Sequence, residues 1–597
     1  MAAALGPDLS AQAAPPAKPR VVEMLNGPGK RGGDLRTLVG SAKDLKYLMV
    51  YGYARLVAYD RAFELVPDIL ESYEVEEGRR FTFHLREGHK WSDGTPFTTE
   101  DFRFFWEDVA NHEKLRPTGP PIEMAIDGKY PDVEVVDELT IRYTWEKPNP
   151  FFLAALADAA PLLIYMPSQY LKLFHEDHAD PQELAAKVEA ESARDWAQLF
   201  GRKSRAYKIS NAELPTLQPW DLVTAPPAER FVAERNPYFH RVDQNGVQLP
   251  YIDRVIMSVV DSKLIPVKTG AGETDLQSRG LHFKDVTFLK ESEQRSGLDT
   301  HLWEPGRAAH LALFPNLNAS DDSWRELFRD VRFRRALSLG IDRQSINQFL
   351  YFGLARAANN TVLPSSPLYT EAVGTAYTQH DPEKANALLD EIGLTQKNGE
   401  GIRLMADGRP VEFVVETAGE ETEESDVLEL ISDQWREIGV KIHTKPSQLE
   451  TLRDRIFSGA TLMTISYGHD NGIPSAEMSP ENYAPTNQVQ YQWPKWGQYY
   501  ETRGQAGEAP DMEHAVQLFE LFDKWRVADS RDERQKIWDE MLQIYADQVY
   551  TIGTVSGILQ PIAAHEALRN LPNEAMYNWN PGAFFGVHLM DSFWIEP

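Results

Sequence analysis

The chain of 597 residues contains no cysteine. That excludes disulfides, thiolate metal centres and cysteine nucleophiles together. It leaves the compartment open, because an exported protein can simply avoid thiols. No stretch reaches the roughly 18 consecutive apolar residues of a membrane-crossing helix. Positive charge is also short: 90 acidic residues stand against 61 basic ones, a net charge of −29. The densest basic cluster, Arg332, Arg334 and Arg335, is flanked by acids. A nucleic-acid partner calls for a basic face, so none is expected. The motifs H-E-x-x-H, G-x-S-x-G, the Walker loop and G-x-G-x-x-G are all missing. Gly553-Thr554-Val555-Ser556-Gly557 lacks nucleophile-elbow spacing and reads as a loop. The 15 histidines are scattered, and none shows metal-ligand spacing. No catalytic residue, metal or cofactor is therefore expected, and the acidity is read as favouring solubility and a monomer.

What is present is the composition of a folded chain, too long for one ordinary core, so two to four domains are expected. Phe81 to Trp106 reads F-T-F-H-L-R-E-G-H-K-W-S-D-G-T-P-F-T-T-E-D-F-R-F-F-W. Phe81, Phe83 and Leu85 alternate with polar residues, as in a half-buried strand. Ser92-Asp93-Gly94-Thr95-Pro96 carries turn chemistry. Thr98 or Thr99 then caps a helix whose Phe102, Phe105, Trp106 and Val109 form an apolar stripe. A second block, D-V-R-F-R-R-A-L-S-L-G-I-D-R from Asp330, predicts a helix with Phe333, Ala336, Leu337 and Gly340 on one face and the arginines on the other. Strands are predicted at Gly32–Gly40, Leu311–Asn318 and Phe413–Thr417. A helix ends at Gly439, two more occupy 511–549, and an aromatic segment closes the chain near Trp594.

These two blocks, in this order, resemble the signatures of the family 5 extracytoplasmic solute-binding proteins, the dipeptide, oligopeptide and nickel receptors of ABC importers. Arg235-Asn236-Pro237-Tyr238-Phe239 and Gly272-Glu273-Thr274-Asp275 fit the same pattern, whereas Pro215-Thr216-Leu217-Gln218-Pro219-Trp220 lacks the glycines relatives carry there. The resemblance implies an α/β, two-lobed periplasmic-binding-protein fold of type II, with an extra subdomain in the first lobe. The expected organisation is a disordered tail at 1–20; a first-lobe core at 21–56, 205–302 and 555–597; the extra subdomain at 57–204; and the second lobe at 303–554. It also implies a receptor that captures a small solute in the interlobe cleft and delivers it to the transmembrane subunits of an ABC permease. Periplasmic localisation is expected, with the signal peptide removed or truncated at the A-x-A-like Ala11-Gln12-Ala13.

Candidate ligand-binding residues form three clusters and one outlier. Tyr51 and Tyr53, with Ser41 upstream, follow the first strand, and tyrosine suits a wet cleft. Tyr467, His469, Asp470 and Asn471 follow an apolar strand. In peptide-binding relatives, an aspartate in the corresponding loop pairs with the ligand's α-ammonium, which the resemblance carries to Asp470. The usual D-x-x-D-P pattern is replaced here by Gly472-Ile473-Pro474. Trp493 and Trp496 lie in an aromatic run with glycine and proline, read as a sugar-stacking or pinned surface loop. Asn316 lies at the end of the second lobe's first strand. The solute expected is a short peptide, with an oligosaccharide or other polar metabolite in the same receptor fold as the alternative. A hydrolase with an unrecognised site is the alternative of a different class.

Overall fold

The computed structural model describes residues 14–419, 422–528 and 530–596. The chain divides into two compact units, one running through Trp303 and resuming at Gln560, the other spanning Glu304–Leu559. Most of the tail expected to be disordered lies outside the described residues, including Ala11 to Ala13. From Ala17 onward the chain is tied down. Ala17 N–H donates to the Glu87 carbonyl at 3.1 Å, and Arg20–Val22 pairs in parallel with Arg241–Asp243.

In the first unit, Asp34–Val39 lies parallel to Arg254–Val259, followed outward by the antiparallel strands Arg230–Arg235 and Trp220–Leu222. Leu35, Val255, Met257, Phe231 and Trp220 build the core beneath this sheet, and Phe585 and Phe593 of the C-terminal aromatic segment join them. A separate antiparallel sheet orders Leu70–Glu76, Arg80–Leu85, Thr140–Thr144 and Asp132–Asp137. Phe81, Phe83 and Leu85 are buried in it as alternation predicts, but so is Thr82, which accepts from Arg142 Nε at 3.2 Å.

The turn and cap follow their residue chemistry. Asp93 Oδ1 accepts from the Thr95 N–H and hydroxyl at 2.9 and 2.6 Å, and Gly94 takes φ +87°. Thr98 caps Thr99–Arg103 in a capping box with Asp101. From Phe104 the helix widens to a π-helix over Phe104–Ala110. That change of period shifts the apolar stripe: Phe104 enters the core and Trp106 is left half-buried.

The second unit is built on a five-stranded mixed sheet in the order Lys441–Pro446, Glu412–Thr417, Met463–Tyr467, Leu311–Pro315, Ile552–Gly553. Its first two pairings are parallel and the last two antiparallel. The segment read as a loop at 553–557 instead contributes the short strands Ile552–Gly553 and Val555–Ser556. A Cβ on Gly553 would meet the Asn359 carbonyl carbon at 2.5 Å, so glycine there permits backbones to approach closely. Asp330 caps Val331–Leu339, and Gly439 takes φ +81° after Glu423–Glu437. The arginines of the Asp330 block do not all face away from the core. Arg334 is wholly buried, donating to the Gln548 and Phe328 carbonyls at 2.9 and 2.5 Å, and burial lowers its pKa to about 10. It satisfies carbonyls that helix ends leave without partners.

Candidate ligand-binding site

In the second unit, the strand Met463–Tyr467 runs into a loop held down at both ends. Gly468 N–H donates to the Ala309 carbonyl at 3.1 Å and Gly472 N–H to the Gly306 carbonyl at 2.5 Å. A Cβ at either glycine would collide with backbone of residues 306–309. Between them the chain turns His469 inward. Its N–H donates to Asn360 Oδ1 at 2.9 Å, and its Nε2 lies 2.9 Å from the Tyr545 hydroxyl. Burial drives its pKa down to about 3, so the ring is neutral. Asp470 is thereby turned outward, with its side chain 59% exposed. Asn471 is half-buried and accepts from Ile473 N–H at 3.2 Å, closing the turn.

Arg307 completes this group. Its guanidinium lies 4.1 Å over the centre of the Tyr467 ring, and its Nε is 3.7 Å from Asp470 Oδ1. That Nε is buried and makes no hydrogen bond. The three side chains bring together a carboxylate, a guanidinium and the aromatic ring that the guanidinium covers on one face. Such a set can exchange paired hydrogen bonds with adjacent hydroxyls while a ring edge covers apolar C–H surface.

The other residues expected in the second unit lie elsewhere. Asn316 is wholly buried. Its amide donates to the Ile456 and Thr461 carbonyls at 2.9 and 3.0 Å and accepts from Asn318 N–H at 3.0 Å. The run around Trp493 is not a surface loop. Pro494–Glu501 is a helix, and Trp493 and Trp496 are both fully buried. Trp493 packs edge-on to Tyr550 at 4.9 Å and donates from Nε1 to Gln490 Oε1 at 2.7 Å. Gly497 makes the helix possible here, since a Cβ would fall 2.0 Å from the Asn487 carbonyl oxygen.

In the first unit, Ser41 is a helix cap whose Oγ accepts from Lys43 N–H at 3.2 Å. Tyr53 is buried, donating from its hydroxyl to the Ala157 carbonyl at 2.7 Å and accepting from Tyr59 N–H at 3.2 Å. Tyr51 is half-buried, 5.2 Å from Tyr47 and 5.1 Å from Phe585 between ring centres. It lines a small pocket with Tyr47, Trp220, Ser278, Arg279 and Phe585. Arg279 stands 4.9 Å over the Tyr47 ring and 3.3 Å from Asp44 Oδ1. Arg307, Arg279 and Tyr47, which join these groups in the fold, carry no motif of their own. The arginines reach their rings only through long-range packing, and only the tyrosine density of Tyr47, Tyr51 and Tyr53 carried a signal.

Spacing in the sequence offers no metal set, yet among the described residues one donor atom each from His112, His175 and Asp177 lies within 4.8 Å of the others. No helix among the described residues is long and apolar enough to cross a membrane.

The chain is thus a mixed α/β fold in two compact units, with the loop after Met463–Tyr467 as its candidate binding site. The model of the bacterial extracellular solute-binding proteins, family 5, middle region, matches residues 64–490, and the chain belongs to this family. It is 24% identical over 541 residues to the periplasmic alpha-galactoside-binding protein of Rhizobium meliloti strain 1021, covering 86% of this chain and 73% of that protein. Heme-binding protein A of Haemophilus influenzae is 25% identical over 448 residues, 72% of this chain and 71% of that one. Among solved structures, an oligopeptide-binding protein OppA is 29% identical with a TM-score of 0.71, covering 98% of this chain and 93% of that chain. The periplasmic binding protein MelB of agrobacterium fabrum C58, in complex with stachyose, is 20% identical with a TM-score of 0.75, covering 98% and 88%. The fold is therefore that of the periplasmic binding proteins.

Proposed function

We propose that this protein is the extracytoplasmic receptor of an ABC importer and that its solute is an oligosaccharide. The observation that carries the choice is the group Arg307, Tyr467 and Asp470. A peptide's α-ammonium calls for a carboxylate free to neutralise it. Asp470 instead faces a guanidinium at 3.7 Å, which offsets its pull on a cation. A neutral polyol makes no such demand and can use donor and acceptor together. The similarity to an alpha-galactoside-binding protein over 86% of the chain supports the same reading. Capture and release, with no bond broken, is then the protein's work. It acts as a monomer that hands its solute to permease subunits outside the cytoplasm.

The peptide reading rests on the exposure of the Asp470 carboxylate and on the likeness to an oligopeptide-binding protein at 29% identity. Calorimetry with a panel of α-galactoside oligosaccharides and short peptides separates the two. Micromolar binding, about −8 kcal/mol, is expected for a member of the first set. Binding of peptides alone would overturn the choice.

A further inference from the structure

We propose that His112, His175 and Asp177 form a binding site for a divalent cation of the zinc class, separate from the solute loop. All three residues belong to the first unit. His112 follows the π-helix Phe104–Ala110, and His175 and Asp177 follow the short helix Lys172–Phe174. His175 Nδ1 is 3.7 Å from Asp177 Oδ2, and His112 Nε2 is 3.9 Å from the same oxygen. Donors around a tetrahedral zinc at bond lengths of about 2.0–2.2 Å stand about 3.3–3.6 Å apart, and here all three donors lie within 4.8 Å of one another, so the side chains must draw together to complete the set.

The second observation is how His175 is held. Its ring is wholly buried, and its Nε2 lies 2.9 Å from the Asp108 carbonyl oxygen. A carbonyl can only accept, so Nε2 carries the proton and the Nδ1 lone pair accepts from the Asp177 N–H at 3.3 Å, a long bond that a bound ion would displace. A backbone carbonyl fixing the tautomer of a ligating imidazole is a recurrent support of metal sites. The Trp196 ring lies edge-on to His112 at 5.3 Å and approaches His175 at 4.9 Å, giving the site a dry wall. His112 must change tautomer, losing a long 3.3 Å bond from Lys114 N–H to its Nδ1. Glu176 Oε1, 3.5 Å from His112 Nε2, is the nearest further oxygen, but both its oxygens are held by Lys114 Nζ at 2.8 Å. A water therefore takes the fourth position, on the side where Asp177 is 63% exposed. Two imidazoles and one carboxylate select zinc-class ions over calcium or magnesium, which take oxygen ligands. In a chain without cysteine, such an ion would staple the π-helix end to the 172–178 segment.

The test is titration of the full-length, chelator-treated protein with Co²⁺ followed by Zn²⁺. One equivalent of Co²⁺ should give visible d–d bands that Zn²⁺ abolishes, and Zn²⁺ should raise the melting temperature. His112→Gln and, separately, Asp177→Asn should each weaken Zn²⁺ binding at least about tenfold. Absence of saturable Co²⁺ binding by the unaltered protein overturns the proposal without any variant. So does wild-type affinity in Asp177→Asn, whose exposed position lets the fold survive the change.

Discussion

Two segments of the second unit look alike as sequence and differ in what they do. Residues 491–500 and 467–472 both combine aromatic rings with glycine and polar groups. In the first, glycine serves burial: Gly497 lets a helix close on the chain at Asn487, and Trp493 and Trp496 disappear into the core. In the second, glycine serves display: Gly468 and Gly472 pin the loop to residues 306–309, so that His469 points in and Asp470 points out. Aromatic density therefore reports packing demand. Display is decided by where the backbone is anchored.

The comparison breaks most visibly at Trp493. Trp493→Ala should lower stability by about 3–5 kcal/mol, the cost of emptying a large buried site. Solute affinity of the folded fraction should be unchanged in calorimetry. Lost affinity with an unchanged melting point would make this tryptophan part of the site after all.

A second contrast lies within the loop, between its buried and exposed residues. The fold holds His469 neutral to about pH 3, whereas an unfolded histidine takes its proton near pH 6.5. Between these values only the unfolded chain is protonated there, so stability present above about pH 6.5 falls as pH drops toward 3. This ring contributes about 1.4 kcal/mol per pH unit. Urea melts across that window should show a shallower acid slope for His469→Gln than for the unaltered protein. Equal slopes would mean the ring is not held as described.

At the exposed end, Arg307→Ala should weaken oligosaccharide binding by about 1.5 kcal/mol or more, as expected for a lost hydrogen bond to a charged group. Asp470→Asn should cost less than that, because an amide still bonds a hydroxyl. A loss of about 2–5 kcal/mol at Asp470→Asn, the range for truncating a buried charge pair, would instead indicate an ammonium ligand. The smallest effect is expected at Ser41→Ala. Its cap on an exposed turn should be worth about 1 kcal/mol or less, with no change in affinity.

What the sequence disclosed was mostly local. Asp93, Gly94 and Thr98 specify a turn and a cap through residues at most three positions away, and Asp330 and Gly439 mark helix ends in the same way. The blocks at Phe81 and Asp330 were enough to suggest the family. Side chains whose partners come from far along the chain were illegible. Arg334 was placed opposite the apolar face because the Gln548 carbonyl it satisfies lies 214 residues on. The widening of the helix at Phe104 brought Phe104 into the core and left Trp106 half-buried, while Phe105 and Val109 stayed on the buried face. The site itself was half visible: a polar loop after an apolar strand drew attention to Asp470, but nothing near it in sequence pointed to Arg307.

The most direct test of the receptor reading is native mass spectrometry of the protein freshly purified from its own cells, because a binding protein can retain its solute. The account predicts a protein carrying one added mass built of hexose units, lost on mild activation and much reduced in Arg307→Ala. A retained mass that resolves into amino-acid residues, bound equally by Arg307→Ala, would contradict it.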